Sequence, residues 1–246
     1  MRKYRNEVGD GARTGLTAEA VAAMDGALAE VFGRYSDRWQ PRDPLANLIR
    51  IILHQRTTGP HAAKALENLQ AHCGDWAAVA ALPYDLLVDL VRPAGLAKAK
   101  AASIQAVLQQ VCLDTGAYSL EIIKAMESPA AARYLSTLPG VGSLTANLVL
   151  LFALGRPGVM PVDGHVHRVV RRLGWTEHDA TARTVQQTVE MAAPTLPLMD
   201  LHCNLIELGR RHCGPSTLDC ADCPVNHMCA TALRQPWWYR GGGTQA

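Results

Sequence analysis

Four cysteines within seventeen residues, Cys213, Cys220, Cys223 and Cys229, constrain this chain more than any other feature. Their order, Cys-x6-Cys-x2-Cys-x5-Cys over CGPSTLDCADCPVNHMC, gathers four thiols into one short loop. The first residues, MRKYRNEVGDGART, are basic and polar and lack the apolar stretch of a secretory signal. A reducing, cytosolic or nucleoid-associated setting is therefore expected, in which thiols do not form a disulfide framework. Four thiolates so close together suit one soft metal centre, and two readings stay open. Structural zinc usually takes two Cys-x2–4-Cys knuckles separated by a longer loop, and only one such pair exists here. A single-loop ligand set suits an iron–sulfur cubane better. Cys73, Cys112 and Cys203 are scattered among apolar neighbours and read as core residues.

The rest of the chain reads as helix. Thr17 is placed to cap a helix through AEAVAAMDGALAEVFGRY, with a stripe at Val21, Met24, Leu28 and Val31. Asp43-Pro44 opens a second, LANLIRIILHQ. Then come HAAKALENLQAHC, residues 85–91, KAASIQAVLQQV, SLEIIKAM, ARYLSTL, TANLVLLFALG, VHRVVRRLG, TARTVQQTVEMAAPTL and DLHCNLIELGRRH, separated by Gly and Pro. Strand signals are nearly missing. Roughly ten short amphipathic helices with brief connections predict an all-α protein. Hydrophobic residues make up 48% of the 246, enough for a sizeable core. No apolar run approaches the ~18 residues of a membrane span. Residues 1–14 and 240–246 read as disordered tails, and Trp237-Trp238-Tyr239 as an aromatic cluster that packs back or meets a partner.

A net charge of +2 announces no global positive field, so any nucleic-acid affinity must be local. One local source is LPGVG, Leu138 to Gly142, between two helical segments. Pro139 starts a tight turn, and Gly140 and Gly142 permit φ values and close approaches that a β-carbon forbids. Backbone N–H groups opening the next helix then face a phosphate oxygen without reading sequence. The plain alternative is an ordinary helix–helix turn. Asp163, in PVDGHVHRV, opens a basic helix and reads either as its N-cap or as a working carboxylate.

Taken together, the cysteine spacing and LPGVG followed by TANLVLLFALG and PVDGHVHRV resemble the endonuclease III-like DNA glycosylases of the helix–hairpin–helix (HhH-GPD) superfamily. The resemblance runs from about Asp43 to Cys229. It implies a [4Fe–4S] cluster held by the four cysteines, and two helical domains with DNA in the cleft between them. One would comprise residues 36–157, a six-helix barrel carrying the hairpin; the other, residues 15–35 plus 158–232, would carry the cluster. The hairpin, through Leu138, Gly140, Val141, Gly142 and Thr145, would bind DNA, and its carbonyls a monovalent cation. Asp163 matches the catalytic acid: cleaving an N-glycosidic bond builds positive charge on the sugar, which a carboxylate stabilises while orienting water. Gln55, in LHQRTTG, matches the glutamine that fills the gap left by a flipped base. Leu96, in GLAKAKAASI, matches the leucine that wedges between bases. The implied partner is double-stranded DNA carrying a damaged base, bound by a monomer outside any membrane.

Two departures matter. The lyase members of the family read LPGVG-x-K-T-A, whereas this chain reads LPGVG-Ser143-Leu144-Thr145-Ala146, with leucine at the amine's place. Leucine cannot attack C1′ of the sugar. The expectation is a glycosylase using water, with weak or no lyase activity; Lys98, Lys100 and Lys124 are the nearest substitute amines. The alternatives are a full glycosylase–lyase, and a lesion-binding protein that does not cut. The cluster loop GPSTLD also carries no Lys or Arg to meet phosphates. Arg56, Lys98 and Lys100 are expected to neutralise phosphates instead. Arg168, Arg171 and Arg172, at i, i+3 and i+4, read equally as a solvated face or a DNA stripe. His165 and His167 read as pocket-lining, capping or core.

Overall fold

The structure is a computed structural model and describes residues 15–234; the expected tails and the Trp237-Trp238-Tyr239 cluster lie outside the described residues. Among the described residues there are twelve α-helices and no strand, only one isolated bridge between Cys213 and Leu218. None of these helices is long and apolar enough to cross a membrane.

The caps fall where the side chains allow them. Helix α1 (Ala18–Phe32) begins at Thr17, whose Oγ1 accepts the N–H of Ala20 at 3.3 Å. Val21, Met24 and Leu28 are buried as the spacing predicts, but Val31 is 55% exposed. Phe32 packs against the core in its stead and turns Val31 outward. Helix α2 (Pro44–His54) starts at Asp43, whose Oδ1 accepts from Ala46 N–H at 2.6 Å. Helices α3 (Gly59–His72), α4 (Trp76–Ala80), α5 (Tyr84–Val91) and α6 (Ala97–Thr115) follow. The five-residue α4 escaped the sequence reading because it is too short for a visible period; its capping signal is Asp75, accepting from Ala78 N–H at 2.8 Å.

SLEIIKAM does not form an α-helix; Glu121–Ala125 is a 3-10 turn. Arg156 explains the turn, its guanidinium donating to the carbonyls of Ile123, Lys124 and Met126 at 3.4, 2.7 and 3.0 Å. Carbonyls drawn to a charged donor are lost to a continuing helix ladder. Helices α7 (Ser128–Thr137) and α8 (Ser143–Leu154) flank LPGVG. Helices α9 (Gly164–Leu173), α10 (Ala182–Ala192), α11 (Met199–Arg211) and α12 (Ala230–Arg234) complete the chain.

Two apolar cores organise these helices. The first joins α2 to α8, from Leu45 through Ile104, Leu108 and Leu150 to Val159. The second joins α1 to α9, α10 and α11, with Met24, Leu28, Val166, Val170, Val185 and Leu205 fully or nearly fully buried. The backbone passes between them twice, before α2 and after α8, and the two passages are fastened together. Trp39 Nε1 donates to the Phe152 carbonyl at 2.8 Å, and Arg42 N–H to the Ala153 carbonyl at 3.0 Å. Gly155, at φ +62°, lets the Trp39 ring close on the turn; a β-carbon there would lie 2.6 Å from the indole. On the second-core side, Asp200 accepts from Ser36 N–H at 2.8 Å and Ser36 Oγ at 2.6 Å, and Arg34 lies 3.4 Å away.

Candidate DNA-binding and catalytic site

The hairpin is a tight turn of known type. Leu138 carbonyl accepts from Val141 N–H at 3.1 Å, with Pro139 second and Gly140 third at φ +74°. A positive φ at the third position marks a type II turn and accounts for glycine there. Gly142 differs from expectation: its φ of −89° is open to any residue, and an added β-carbon would meet nothing within 4 Å. Its role as N-cap of α8 asks only for room outside the protein. The side chains of Leu138, Val141 and Thr145 are buried, so these positions offer a strand only their backbone. No side chain caps α8, and its first amides are left to an outside acceptor. Ser143 is exposed and Leu144 half-buried, on the turn of helix that follows.

Asp163 is a genuine N-cap. Its Oδ1 accepts from His165 N–H at 2.9 Å and Val166 N–H at 2.8 Å. That holds the half-buried carboxylate in one orientation, while Oδ2 has no hydrogen-bond partner among the described residues. The cap thus occupies one carboxylate oxygen and leaves the other without a donor among the described residues. Sequence reasoning missed His202 of α11, which is buried and donates from Nδ1 to the Pro161 carbonyl at 3.0 Å. Burial pushes its pKa down, although the Asp163 charge and the Pro161 carbonyl pull the other way. A neutral imidazole is thereby kept within electrostatic reach of the carboxylate. Its only sequence signal was a histidine on the buried face of an amphipathic helix. His165 instead accepts from Arg168 Nη2 at 3.1 Å, and His167 Nε2 bonds the Ala180 carbonyl at 2.7 Å; both are engaged locally.

Gln55 is the exposed residue that ends α2, and Leu96 the 58% exposed residue that opens α6. An apolar side chain that large projecting into water is not the core residue that composition alone suggests. Leu96 also sits in the left-handed region at φ 49°, as does Arg56 at φ 52°, next to Gln55. These are the only non-glycine residues so placed among the described ones. Such a conformation costs about 1–2 kcal/mol per residue, so both loops are held by their surroundings.

Of the lysines expected at phosphates, Lys98 is exposed but Lys100 is not. Lys100 is 4% exposed and donates through Nζ to the carbonyls of Leu53 and Ala94, each at 2.7 Å. It is therefore neither a phosphate contact nor a free amine. The helical rise brought an aliphatic stem inward where the two-residue spacing from Lys98 placed it on the opposite face. Lys124 is paired with Glu121 at 2.6 Å.

The four cluster cysteines line one cavity of about 20 Å³ with Val169, Leu173, Leu208 and Val225. No group of His, Cys, Asp or Glu among the described residues is already drawn to metal-bonding geometry. The donor set nonetheless suits a soft cationic centre: four thiols line one small, largely apolar cavity. Burial, reinforced by the neighbouring thiols, pushes Cys223 up to about 11 and raises Cys220. A positive centre relieves that mutual penalty. Arg168 and Arg172, ambiguous in the sequence, grip this loop. Arg172 donates to the carbonyls of Gly214 at 2.6 Å and Pro215 at 3.2 Å and to Cys213 Sγ at 3.3 Å. Arg168 donates to the carbonyls of Cys213 at 2.8 Å and Gly209 at 3.0 Å. One helix thus carries Asp163 at its start and the clamp of the cysteine loop on its later turns.

The chain as a whole is similar to known DNA repair proteins. Residues 49–194 match the family model described as HhH-GPD superfamily base excision DNA repair protein. Endonuclease III of Thermotoga maritima is 30% identical over 204 residues, covering 81% of this chain and 89% of its own length. Endonuclease III of Bacillus subtilis is 34% identical over 149 residues, 61% of this chain and 64% of its own. A solved structure of a trapped endonuclease III–DNA covalent intermediate, an estranged-adenine complex, superposes with a TM-score of 0.69 at 29% identity, covering 89% of this chain and 98% of that one.

Proposed function

Since this chain belongs to the HhH-GPD superfamily of base excision DNA repair proteins and is a DNA N-glycosylase of endonuclease III type, we propose that it removes an oxidised, mismatched or alkylated base by hydrolysis, with Asp163 as its catalytic acid. The observation that carries this reading is the Asp163 carboxylate, anchored through Oδ1 by two amides with Oδ2 unpartnered among the described residues. A fixed negative oxygen placed where positive charge develops on the sugar stabilises the transition state without reorganising first. It also orients a water for attack on C1′. The backbone amides that open α8, together with the type II turn, would hold the phosphate of the flipped nucleotide. Gln55 would face the widowed base and Leu96 would enter the stack.

Leu144 gives the reading its sharpest consequence. With no amine at that position, Lys100 bound to two carbonyls and Lys124 in an ion pair, exposed Lys98 is the one substitute amine left of the three, and the strand would leave abasic with little or no breakage. The substrate would lie between two lobes, residues 36–157 and residues 15–35 with 158–232; the two separate cores support that division, except that Val159 packs in the first core. Cys213, Cys220, Cys223 and Cys229 would hold a [4Fe–4S] cluster, which would tie down a loop whose regular structure is one short 3-10 turn, Asn226–Met228. The carbonyls of Leu138 and Val141 would hold a monovalent cation at the turn. A monomer associated with the nucleoid completes the reading.

Duplexes carrying a panel of single lesions, incubated with the protein and then split with and without hot alkali, test it. Breaks that need alkali are expected. Breaks without alkali would assign a lyase, and tight binding with no base release from any lesion would assign a lesion-binding protein. The purified protein is expected to be brown, with four irons per chain; stoichiometric zinc in a colourless protein would overturn the cluster.

A further inference from the structure

We infer that Lys100 is a positioning residue that couples the two duplex-probing loops, so that Gln55 and Leu96 act as one device. The inference rests on the reading of those two residues given above. A lysine buried to 4% exposure usually has an anionic partner or is absent from the core. Here the ammonium has two backbone carbonyls, Leu53 and Ala94, each at 2.7 Å. They belong to different elements. Leu53 is in the last turn of α2, where carbonyls lack intrahelical donors and the helix dipole favours a cation. Ala94 ends the 3-10 turn before Gly95.

The places of these carbonyls carry the argument. Leu53 lies two residues before Gln55 and three before the left-handed Arg56. Ala94 lies two residues before the left-handed Leu96. One ammonium therefore sits behind both loops and holds each immediately upstream of its strained residue. Lys100 N–H also donates to the Leu96 carbonyl at 3.0 Å, which fixes the other side of the same residue. Among the described residues no hydrogen bond joins the two loops directly. An apolar side chain at 100 would leave two buried carbonyls without donors and let the probes relax separately.

A duplex with a tetrahydrofuran abasic-site analogue and 2-aminopurine opposite it reports on both loops, because the widowed base is where they meet. Affinity for it is compared with affinity for undamaged duplex in Lys100→Met, Leu96→Ala, Gln55→Ala and the Lys100→Met/Leu96→Ala pair. Lys100→Met is expected to weaken binding to the analogue about tenfold, 1.4 kcal/mol, and to blunt the 2-aminopurine signal. Undamaged duplex should change less than twofold. The double variant should lose about as much as the worse single one, since coupled residues are not additive. Losses that multiply, or equal weakening on both duplexes, would overturn the inference. Lys100→Arg, retaining a cationic donor, should keep at least half the discrimination, and it stands in if Lys100→Met does not fold; an Arg variant no better than an Ala variant at Leu96 also overturns the coupling. If Leu96→Ala and Gln55→Ala themselves leave discrimination intact, the reading of the probes fails rather than the tie between them.

Discussion

Replacing Asp163 separates its cap from the catalytic role proposed for it, because the cap uses only one of the two carboxylate oxygens. Oδ1 accepts two amide hydrogen bonds, at 2.9 and 2.8 Å. Asp163→Asn keeps an oxygen at that position, and asparagine caps helices about as well as aspartate, so stability should change by less than about 0.5 kcal/mol. Asp163→Ala removes both bonds and should lower stability by about 1–2 kcal/mol. For a chain of this size that lowers Tm by roughly 2–8 °C. Both variants lack the charged oxygen, and both should lose base release by about 10²–10⁴-fold. Differential scanning calorimetry and single-turnover base release on the best lesion of the panel supply the two axes. An Asn variant that melts with the wild type yet releases no base is the expected result. If Asn retains base release within threefold while Ala melts early, the carboxylate is a cap and nothing more.

Leu144→Lys places an amine at the start of α8, and borohydride is expected to trap a covalent DNA adduct with this variant and not with the wild type; efficient wild-type trapping would mean that another amine reaches C1′. Gly158→Ala should be severely destabilising, by roughly 2–4 kcal/mol, because at φ +64° its β-carbon would lie 2.1 Å from the Pro194 carbonyl; a melting temperature within 2 °C of wild type would refute the contact. His202 titrates below its ordinary range when folded, so the unfolded chain binds more protons between the two values and stability rises with pH there. Its contribution is complete above about pH 6.5 and is lost as pH falls through the folded value. Denaturant melts from pH 7.5 to 5 should show that loss, and His202→Gln should flatten the part due to this residue.

The helices were legible because capping and period are local. Thr17, Asp43 and the LPGVG turn each announce themselves within four residues, and the structure forms them there. What escaped depends on partners distant in the chain. Arg156 turns SLEIIKAM into a 3-10 turn from about thirty residues away. Nothing near Lys100 says that its amine will meet Leu53, 47 residues earlier. Arg168 and Arg172 looked like either a solvated face or a DNA stripe because their acceptors, the carbonyls of the cysteine loop, lie more than forty residues later. At the site, residue type was readable and engagement was not. Asp163 reads from the sequence as either cap or acid; the coordinates form the cap and show that it uses one oxygen, Oδ1.

The paired crossings between the cores restrict how the two halves of this molecule can move. Two chain segments are joined side by side, Trp39 to Phe152 and Arg42 to Ala153, with the indole closed on Gly155. Sliding one segment past the other would break both bonds, and any side chain at 155 would push the indole off its acceptor. Phe152 also meets the His202 ring edge-on at 5.8 Å, so the junction is held along more than one line.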